Sequence, residues 1–413
     1  MSARTTDRRR RIGVDGTCLA SGRGYGRFAR ELLPPLFAGD PDTDYALYLD
    51  AETAAAVDLA PVLGAAPNVR LVTLATAESQ ARAASARGSR GPLDLLRMGV
   101  AVAREDLDAF YFPSVYSYFP VPGRVPLAIG FMDTIADRFA HVVFPTRRNR
   151  WLWQAKSALA RRQARVILTL SEWSRRCLHE HFGVPRERIR LTVCAPSAAF
   201  RPVAPDDPLR AESAAWLASR GVPPGAPYLV YVGGLNPHKN VPALVRAFAR
   251  AARETGAPLR LVVVGDFEGD VFHADVGALR AEIARAGVED GVRLVGFVPD
   301  AALRGIYAGA LACALPSLEE GFGLGPVEAA ACGTPCIATT RSPLPELLAG
   351  GGFFVEPEDE AALAAAIVRL AREPGLRARL GDAARERAGK LSWAEAAAAA
   401  RASLHEIARR PGR

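Results

Sequence analysis

Short apolar runs alternate with longer helical patterns along most of the chain. In the first half, six runs have the length and the Val, Ile, Leu, Tyr and Phe content of buried strands. They are Arg11–Asp15, Tyr45–Leu49, Val69–Leu74, Ala109–Phe112, Leu127–Phe131 and Val166–Leu170. Strands that alternate with helices are typical of parallel βαβ units, so the first half predicts a parallel sheet covered by helices.

A second alternating series follows a stretch rich in Pro, Ala and Ser over residues 195–226, which we interpret as a domain boundary. The strands predicted in this series are Tyr228–Val232, Leu259–Val264, Val292–Val295, Leu311–Ala314, Cys336–Ala338 and Gly352–Val355. We therefore predict a first domain over 1–200 and a second over 201–390. The alanine-rich segment Trp393–Arg409 predicts a long closing helix.

Helical patterns and helix-start or helix-stop residues predict several of the helices. The pattern predicts a glycine-rich loop over Gly16–Gly26, then a helix over Arg27–Leu33 that Pro34 and Pro35 stop. Helices are also predicted over Asn149–Arg162 and Leu209–Ser219, and Ser171 is placed to cap the helix after its strand.

Composition excludes several classes of protein. The 413 residues are 49% hydrophobic and 23% charged, which indicates globular domains. No apolar run reaches the ~18 residues of a membrane span, and the basic segment Met1–Arg11 has no apolar signal core, so we expect a cytoplasmic protein. The six cysteines form no CxxC pair and no His cluster completes a zinc set, so we expect free, buried thiols.

Charge is unevenly distributed. The net charge is +8, and residues 1–200 hold 28 Lys and Arg against 19 Asp and Glu, a local net of +9. One interpretation is an anionic partner of the first domain, such as a phosphorylated lipid or a membrane face. The alternative is an arginine-rich composition whose charges are only solvated, and the count alone does not separate the two.

Two glutamates in residues 315–340 are the first candidates for chemistry. A strand ends near Leu315, a loop holds Glu320, and Pro326 is suited to the first turn of a helix that we expect to place Glu328 in that same turn. Free N–H groups at a helix start attract an anion such as a diphosphate, and each carboxylate can accept bonds from sugar hydroxyls. The alternative is a dipole-favoured Glu328 and a solvated Glu320.

Lys239 is the next candidate. The chain has only three lysines among its 52 basic residues, and this one follows a glycine turn after the strand Tyr228–Val232. A lysine in so arginine-rich a chain suggests a site that needs a compact charge. The alternative is a surface lysine after a turn.

The segment PSLEEGFGLGPVEAAACGTPC, from Pro316 to Cys336, resembles the E-x7-E signature of family-4 retaining glycosyltransferases. That family has the GT-B fold, an α/β architecture of two facing Rossmann-like domains with the active site between them. The resemblance covers nearly the whole chain. The other matching segments are Ile12–Arg27, Ile167–Arg176, Tyr231–Asn240 and the stretch from Ser392, which resembles a closing helix (391–413) that crosses back to pack on the first domain.

The resemblance implies roles for particular residues. Lys239 would bind the donor diphosphate and stabilise the leaving group, Glu320 would orient the sugar, and Glu328 would hold the ribose. Other residues implied to line the donor site are Gly234, His238, Phe297, Gly321, Phe322, Gly323 and Leu324. The loop implied to face the diphosphate or the acceptor contains Gly24, Tyr25, Gly26 and Arg27.

Two positions depart from the family pattern. Gly234 stands where many relatives have a second diphosphate-binding arginine, although His238 next to Lys239 is often arginine in one subgroup. Met132 and Asp133 stand where many relatives have a His-Asp pair. Asp133 is the best polar candidate at that strand end, with a turn or helix-cap role as its alternative.

The resemblance therefore implies a retaining hexosyltransferase that uses a nucleotide-diphosphate sugar and a glycan or lipid-linked hydroxyl acceptor. We expect no metal, no cofactor and no nucleic-acid partner. The alternatives are a non-catalytic sugar-nucleotide-binding protein and a nucleotide-sugar epimerase.

A basic segment of the first domain suggests a further partner. Its arginines are Arg147, Arg148, Arg150, Arg161, Arg162 and Arg165, with Trp151 and Trp153 among them. At helical spacing most of these fall near one face, as they would at an anionic membrane surface. The alternative is that the tryptophans pack inward and the arginines are solvated.

Overall fold

A computed structural model of the protein describes residues 8–64, 66–74, 91–144, 146–265 and 276–408. The chain forms two compact units. The first comprises Met1–Arg138, Phe144–Cys194 and Ser392–Arg413, and the second comprises Phe139–Val143 and Ala195–Leu391. The second unit thus begins slightly before the boundary predicted at residue 201 and includes one short segment from the first half of the sequence.

The first unit contains a parallel sheet of seven strands. They are β1 Arg10–Asp15, β2 Thr43–Asp50, β3 Val69–Leu74, β4 Ala109–Phe112, β5 Leu127–Gly130, β6 Ala164–Thr169 and β7 Ile189–Leu191. Their order is β3-β2-β1-β4-β5-β6-β7, and every neighbouring pair is parallel. The first six strands match the predicted runs closely, whereas β7, only three residues long, was missed.

Helices flank this sheet. In the first unit they are α1 Gly24–Ala38, α2 Ala51–Ala56, α3 Ala60–Leu63, α4 Pro92–Arg104, α5 Ile135–Arg138, α7 Arg147–Gln163, α8 Glu172–Phe182 and α17 Trp393–Ile407. The remaining helix numbers belong to the second unit. An aromatic cluster fills part of the core, where Phe112 lies 4.8 Å from Phe110 and 4.9 Å from Phe119 between ring centroids. Burying rings of this size supplies a large share of the apolar contact that holds such a core.

The prediction that Pro34 and Pro35 end the first helix is wrong. Helix α1 continues through both prolines to Ala38. An interior proline costs about 3 kcal/mol because it removes a helical hydrogen bond. Leu36 and Phe37 beyond the prolines are fully buried, and burying each side chain contributes about 1.5–3 kcal/mol, which offsets a large part of the cost of the two prolines.

The second unit contains a parallel sheet of six strands. They are β8 Tyr228–Val232, β9 Arg260–Val264, β10 Val292–Gly296, β11 Ala312–Leu315, β12 Cys336–Thr339 and β13 Gly352–Val355. Their order is β10-β9-β8-β11-β12-β13. Strands β9, β11 and β12 are nearly continuous runs of Val, Leu, Ile, Ala and Cys, as expected for the buried strands of a parallel sheet that is covered on both faces.

The helices of the second unit complete the α/β pattern. They are α6 Ala140–Val143, α9 Pro208–Ala218, α10 Val241–Thr255, α11 Val276–Ala286, α12 Asp300–Gly309, α13 Leu324–Ala331, α14 Leu344–Leu347, α15 Glu360–Arg372 and α16 Pro374–Ala388. Both units therefore have the parallel α/β architecture predicted from the sequence. All six cysteines are free and buried, as predicted.

The closing helix α17 packs within the first unit. The Trp393 ring lies 5.8 Å from the Phe28 ring of α1, and His405 Nε2 lies 2.8 Å from Asp40 Oδ2. The helix begins after Ser392, whose hydroxyl accepts a bond from the Glu395 N–H. Among the helices that the structure describes, none combines the length and apolarity needed to cross a bilayer.

Candidate active site

The two most informative loops of the second unit leave neighbouring strands. The strand order runs outward in opposite directions from β8 and β11, which lie side by side at the centre of the sheet. Ligands of open α/β sheets bind outside the carboxyl ends of the strands at such a reversal point. The loop after β8 holds Lys239 and the loop after β11 holds Glu320, so the topology brings both candidates to one place.

Lys239 and Glu320 form an ion pair there. Lys239 Nζ donates to Glu320 Oε1 at 2.7 Å, and the two side chains are 21% and 8% exposed. The Ser317 hydroxyl donates to the same carboxylate oxygen at 2.5 Å. Glu320 is thus a buried, ion-paired group, and the alternative of a solvated glutamate is wrong.

Electrostatics keep Glu320 ionised. Burial by itself would raise the pKa of this carboxyl, but the charge and hydrogen bond of Lys239, with a bond from Ser317, bring the pKa below its ordinary value. A carboxylate that stays charged at neutral pH can accept hydrogen bonds from sugar hydroxyls.

Backbone hydrogen bonds fix the two loops to each other. The Leu318 N–H donates to the His238 carbonyl at 2.8 Å, and the Glu320 N–H donates to the Arg341 carbonyl at 3.0 Å. Helix α6 packs beside the short 3-10 turn Pro237–Lys239. The positions of both charged side chains are therefore set by main-chain contacts as well as by the sheet.

Asn240 provides a third connection. It has φ +55° and ψ +31°, and it is the only non-glycine residue with positive φ in the described part of the chain. Its side-chain amide donates to the carbonyls of Pro316 and Pro357, each at 3.1 Å. Left-handed backbone in a residue other than glycine costs free energy and persists where the surroundings impose it, often at functional sites.

The segment Gly321–Leu324 enters helix α13. Gly323 is the residue before the helix and has φ +88°, a conformation that glycine adopts without strain. A Cβ at this position would lie 2.7 Å from Leu344 Cδ1. Gly321, Phe322 and Gly323 are buried and Leu324 is half-buried. The Phe322 side chain is therefore packed against other residues of the protein and is not exposed to solvent.

The predicted place of Glu328 in the first helical turn is wrong. Helix α13 begins at Leu324, two residues before the Pro326 that the sequence suggested for its first turn, so Glu328 falls in the second turn. Its side chain is buried, and the Tyr307 hydroxyl approaches Glu328 Oε2 at 3.5 Å. The helix dipole at the first turn therefore does not account for this glutamate.

Gly234 and Phe297 lie on the same edge of the sheet. The Tyr231 hydroxyl donates to the Gly234 carbonyl at 2.5 Å and so shapes the turn after β8. Phe297 follows β10 and is 72% exposed. Strand β10 is two strands from β8, roughly 10 Å across the sheet, and an exposed ring there is available to stack on a flat partner.

In the first unit, the predicted loop Gly24–Arg27 is instead the first turn of helix α1. The helix can begin there because Gly26 has no side chain: a Cβ at that position would lie 2.1 Å from the Ser21 carbonyl oxygen. Tyr25 is buried and its ring stacks on Tyr116 at 5.2 Å. Tyr116 follows β4, which lies next to β1 at the reversal point of this sheet. The two rings therefore lie at the carboxyl ends of the central strands of the first unit.

Asp133 follows β5 in the first unit. Its carboxylate accepts a hydrogen bond from the Ile135 N–H at 2.8 Å, a turn-forming role at the start of α5. The neighbouring Met132 carbonyl accepts a bond from the Ser174 hydroxyl at 3.0 Å. The structure therefore shows the turn role that the sequence left open for Asp133.

Ser317 and Asn240 contribute to the site, and neither was predicted from the sequence to be a site residue. Ser317 directly precedes the Glu319–Glu320 pair, and Asn240 stands before Pro242 at a helix start. An asparagine at that position signals a cap, but Asn240 makes no side-chain bond to its own helix. The helix-start signal was present in the sequence, whereas the two distant carbonyl partners were not evident.

Part of the second unit is similar to a known protein family. Residues 213–387 match the model of the family "Glycosyl transferases group 1". The chain is 30% identical over 233 residues to O-antigen chain mannosyltransferase B of Escherichia coli, a match that covers 56% of this chain and 58% of that protein. It is 32% identical over 224 residues to D-inositol 3-phosphate glycosyltransferase of Corynebacterium glutamicum, which covers 54% of this chain and 52% of that protein. The matches thus span little more than half the length of these relatives.

Solved structures resemble the fold of the whole chain. The Anabaena protein HepE, in complex with UDP and glucose, superposes with a TM-score of 0.70 at 19% identity, covering 96% of this chain and 100% of that one. At this identity the likeness concerns the fold, which is that of the GT-B glycosyltransferases. The chain accordingly has the two Rossmann-like domains of a GT-B protein, and residues 213–387 of the second domain are similar to the group 1 glycosyl transferases.

Proposed function

We propose that this protein is a retaining glycosyltransferase that moves a hexose from a nucleotide-diphosphate sugar to a hydroxyl acceptor. The observation that supports this most directly is the Lys239–Glu320 ion pair at the carboxyl ends of β8 and β11. A cation beside an ionised carboxylate offers one group for a diphosphate and one for sugar hydroxyls.

In this proposal Lys239 stabilises the departing nucleoside diphosphate, and the free N–H groups at the start of α13 support the same negative charge. Glu320 orients the transferred sugar, Glu328 is assigned to the ribose, and Phe297 is placed to contact the base. The acceptor oxygen bonds to the anomeric carbon on the face from which the phosphate leaves, and the acceptor proton passes to that leaving phosphate oxygen. Configuration is thereby retained.

The comparisons support the donor class. One structural neighbour is described in complex with UDP and glucose, and one relative is named a mannosyltransferase. We therefore propose a nucleotide-linked hexose as donor and a glycan, glycolipid or polysaccharide precursor as acceptor. With lysine and backbone amides to neutralise the phosphates, we propose that transfer needs neither a metal nor a cofactor.

The first experiment identifies the donor. Thermal unfolding is followed with UDP, GDP, TDP and ADP and with their hexose derivatives. A ligand at 100 times its Kd stabilises the folded protein by about 2.7 kcal/mol, which a melting curve resolves. Absence of any shift across the set would contradict the nucleotide site.

The second experiment tests the reaction. The matching donor is incubated with candidate acceptors, and the anomeric configuration of the product is read by NMR, with and without EDTA. A product of inverted configuration contradicts the retaining mechanism, and loss of transfer in EDTA contradicts metal independence.

A non-catalytic sugar-nucleotide-binding protein is the second candidate, because Met132 and Gly234 stand where the family resemblance implies a histidine and an arginine. The two candidates differ in one measurement. A transferase hydrolyses its donor slowly without acceptor and a pure binder does not, so a thermal shift without hydrolysis or transfer favours binding alone.

A further inference from the structure

Helix α7 of the first unit has an unusual charge composition. Its 17 residues include no Asp or Glu. The basic residues are Arg147, Arg148, Arg150, Lys156, Arg161 and Arg162. A surface helix that served only solubility would normally mix both signs of charge.

The arginines in the first turn oppose the helix dipole. Arg147, Arg148 and Arg150 stand at the positive end of α7, where acidic residues are favourable and each cation costs roughly 0.3–1 kcal/mol. The Thr146 hydroxyl accepts a bond from the Asn149 N–H at 3.1 Å, so the helix start is otherwise well capped. The three arginines thus weaken the helix that contains them, and helix stability does not explain their presence.

These charges are also available to a partner. Arg147, Arg148, Arg150 and Arg162 are exposed, and none of the four makes an ion pair with a residue that the structure describes. Arg161 differs, because its guanidinium lies 3.6 Å from the Phe182 ring centroid and bonds to the Ser157 hydroxyl. The exposed arginines therefore form a basic face that the first unit does not neutralise.

Apolar side chains lie on the same face. Trp151 is 65% exposed, while Leu152 and Leu159 are 39% and 38% exposed. At 100° per residue, these three apolar side chains lie within an arc of about 140° around the helix axis that also contains Arg147, Arg148 and Arg162. Arg150 lies about 60° outside this arc, next to Arg147. An exposed tryptophan surrounded by arginines is the arrangement found where a protein meets the headgroup level of a bilayer.

Trp153 does not belong to this face, so the interpretation that placed both tryptophans at an interface is wrong for Trp153. Its ring stacks on Tyr116 at 5.0 Å, and its indole N–H donates to Asp137 Oδ2 at 2.9 Å. It anchors α7 to the domain, which leaves Trp151 as the exposed ring of the helix.

We infer that the outer face of α7, defined by Arg147, Arg148, Trp151, Leu152, Leu159 and Arg162 with Arg150 at its margin, docks on an anionic lipid bilayer. The arginines attract the negative headgroups while Trp151 and the two leucines enter the interfacial layer. The apolar side chains favour a bilayer over a nucleic acid, whose phosphate backbone would need only the arginines. This inference goes beyond the proposed activity and does not depend on it.

The test is cosedimentation of the full chain with vesicles of phosphatidylcholine alone or mixed with phosphatidylglycerol. The key variant combines Arg147→Glu, Arg148→Glu and Arg150→Glu. Each basic residue near an anionic surface contributes about fivefold, so removing three positive charges by itself lowers the partition coefficient roughly a hundredfold, and the three glutamates, which the surface repels, lower it further. Since acidic residues are favourable in a first turn, this variant should keep or raise its melting temperature, which separates lost binding from misfolding.

A matched control reverses three exposed arginines of the second unit, Arg250→Glu, Arg253→Glu and Arg280→Glu, and so changes the net charge equally. The docking surface predicts that the control sediments with mixed vesicles as the unchanged protein does. Trp151→Ser should lower the fraction of protein that sediments with mixed vesicles, and the dependence of that binding on salt should stay the same. Equal loss in both triple variants would indicate a bulk charge effect and overturn the proposal. So would absence of binding to mixed vesicles at low salt, including the case in which the chain binds DNA instead.

Discussion

Lys239 Nζ and Glu320 Oε1 lie 2.7 Å apart although 81 residues separate them in the sequence. In this structure the two charges neutralise one another, and a diphosphate that binds Lys239 would compete with the carboxylate for the ammonium group. Donor binding would thereby release Glu320 to accept bonds from the sugar. The ion pair is therefore both a part of the fold and the resting state of the proposed site.

Replacing Lys239 by Met should destabilise the protein in a pH-dependent way. The lowered pKa of Glu320 means that the pair stabilises the fold above the ordinary carboxyl pKa and loses this effect as pH falls through the lower, folded value. Without the lysine, the Glu320 carboxylate is a buried negative charge that no cation compensates at neutral pH. Burial then raises its pKa, so protonation relieves this cost as the pH falls. We expect a loss of about 3–5 kcal/mol at pH 7 that shrinks toward pH 4.

Melting temperatures of the two proteins between pH 4 and 8 measure this difference. Lys390→Met is the matched control, because Lys390 pairs with Glu386 on the surface, where both side chains are more than half exposed. Such a pair contributes 1 kcal/mol or less. A Lys239→Met difference that is as small as the control, or that grows on acidification, contradicts the assigned ion pair.

The two glutamates should affect different kinetic parameters. We expect Glu320→Gln mainly to lower kcat, because a contact to the transferred sugar strengthens in the transition state. Glu328→Gln should mainly raise the donor KM, because ribose binding changes little during the reaction. Initial rates over a range of donor concentrations separate the two. The reverse pattern would mean that the roles of the carboxylates are exchanged.

Asn240 should position Lys239 through its side-chain amide. Asn240→Gly keeps the left-handed backbone without strain but removes the donors to the Pro316 and Pro357 carbonyls. Asn240→Asp places carboxylate oxygens against those carbonyls and should be more damaging. We expect kcat/KM for the donor to fall about tenfold in the Gly variant and further in the Asp variant.

Asn240→Ala provides the comparison for Asn240. It loses the same amide and also meets the cost of left-handed backbone, about 1–2 kcal/mol. Its melting temperature should therefore lie below that of Asn240→Gly. If Asn240→Gly retains full activity, the side-chain amide has no positioning role and Asn240 serves only the backbone turn.

Both sheets could be predicted from the sequence because most of their strands are buried on two faces and therefore consist of short runs of apolar residues. The sequence also placed Lys239 and Glu320 at strand ends. It did not predict that they touch, since contact depends on β8 and β11 being neighbours, and strand order is decided by packing of the whole sheet. The three-residue strand β7 was missed because Ile189–Leu191 is too short to show a period.

Helix boundaries were the least predictable feature. Helix α13 starts early because Gly323, not Pro326, sets its first turn, and this displaced Glu328 by one turn from its predicted place. Helix α1 passes through Pro34 and Pro35 because the apolar residues on both sides are buried against the unit. In both cases tertiary contacts outweighed a local signal that was itself correctly recognised.

The start of α1 provides a stability test with its own control. Gly24 and Gly26 both lie in the first helical turn and have no positive φ. A Cβ at Gly24 meets nothing within 4 Å, whereas one at Gly26 would lie 2.1 Å from the Ser21 carbonyl oxygen. The 17–21 segment cannot easily move away, because Arg30 donates to the carbonyls of Leu19 and Ser21 at 2.6 and 2.9 Å.

We therefore expect Gly26→Ala to destabilise the first unit by about 1–3 kcal/mol, since the new methyl group forces the turn and the helix apart. Gly24→Ala should be neutral or stabilising by about 0.4–1 kcal/mol, because alanine restricts the unfolded chain without a clash. Thermal unfolding of the two variants measures both effects. Equal stabilities would show that the turn yields to the added methyl group, and the close approach at Gly26 would then not explain why a glycine stands at this position of the first helical turn.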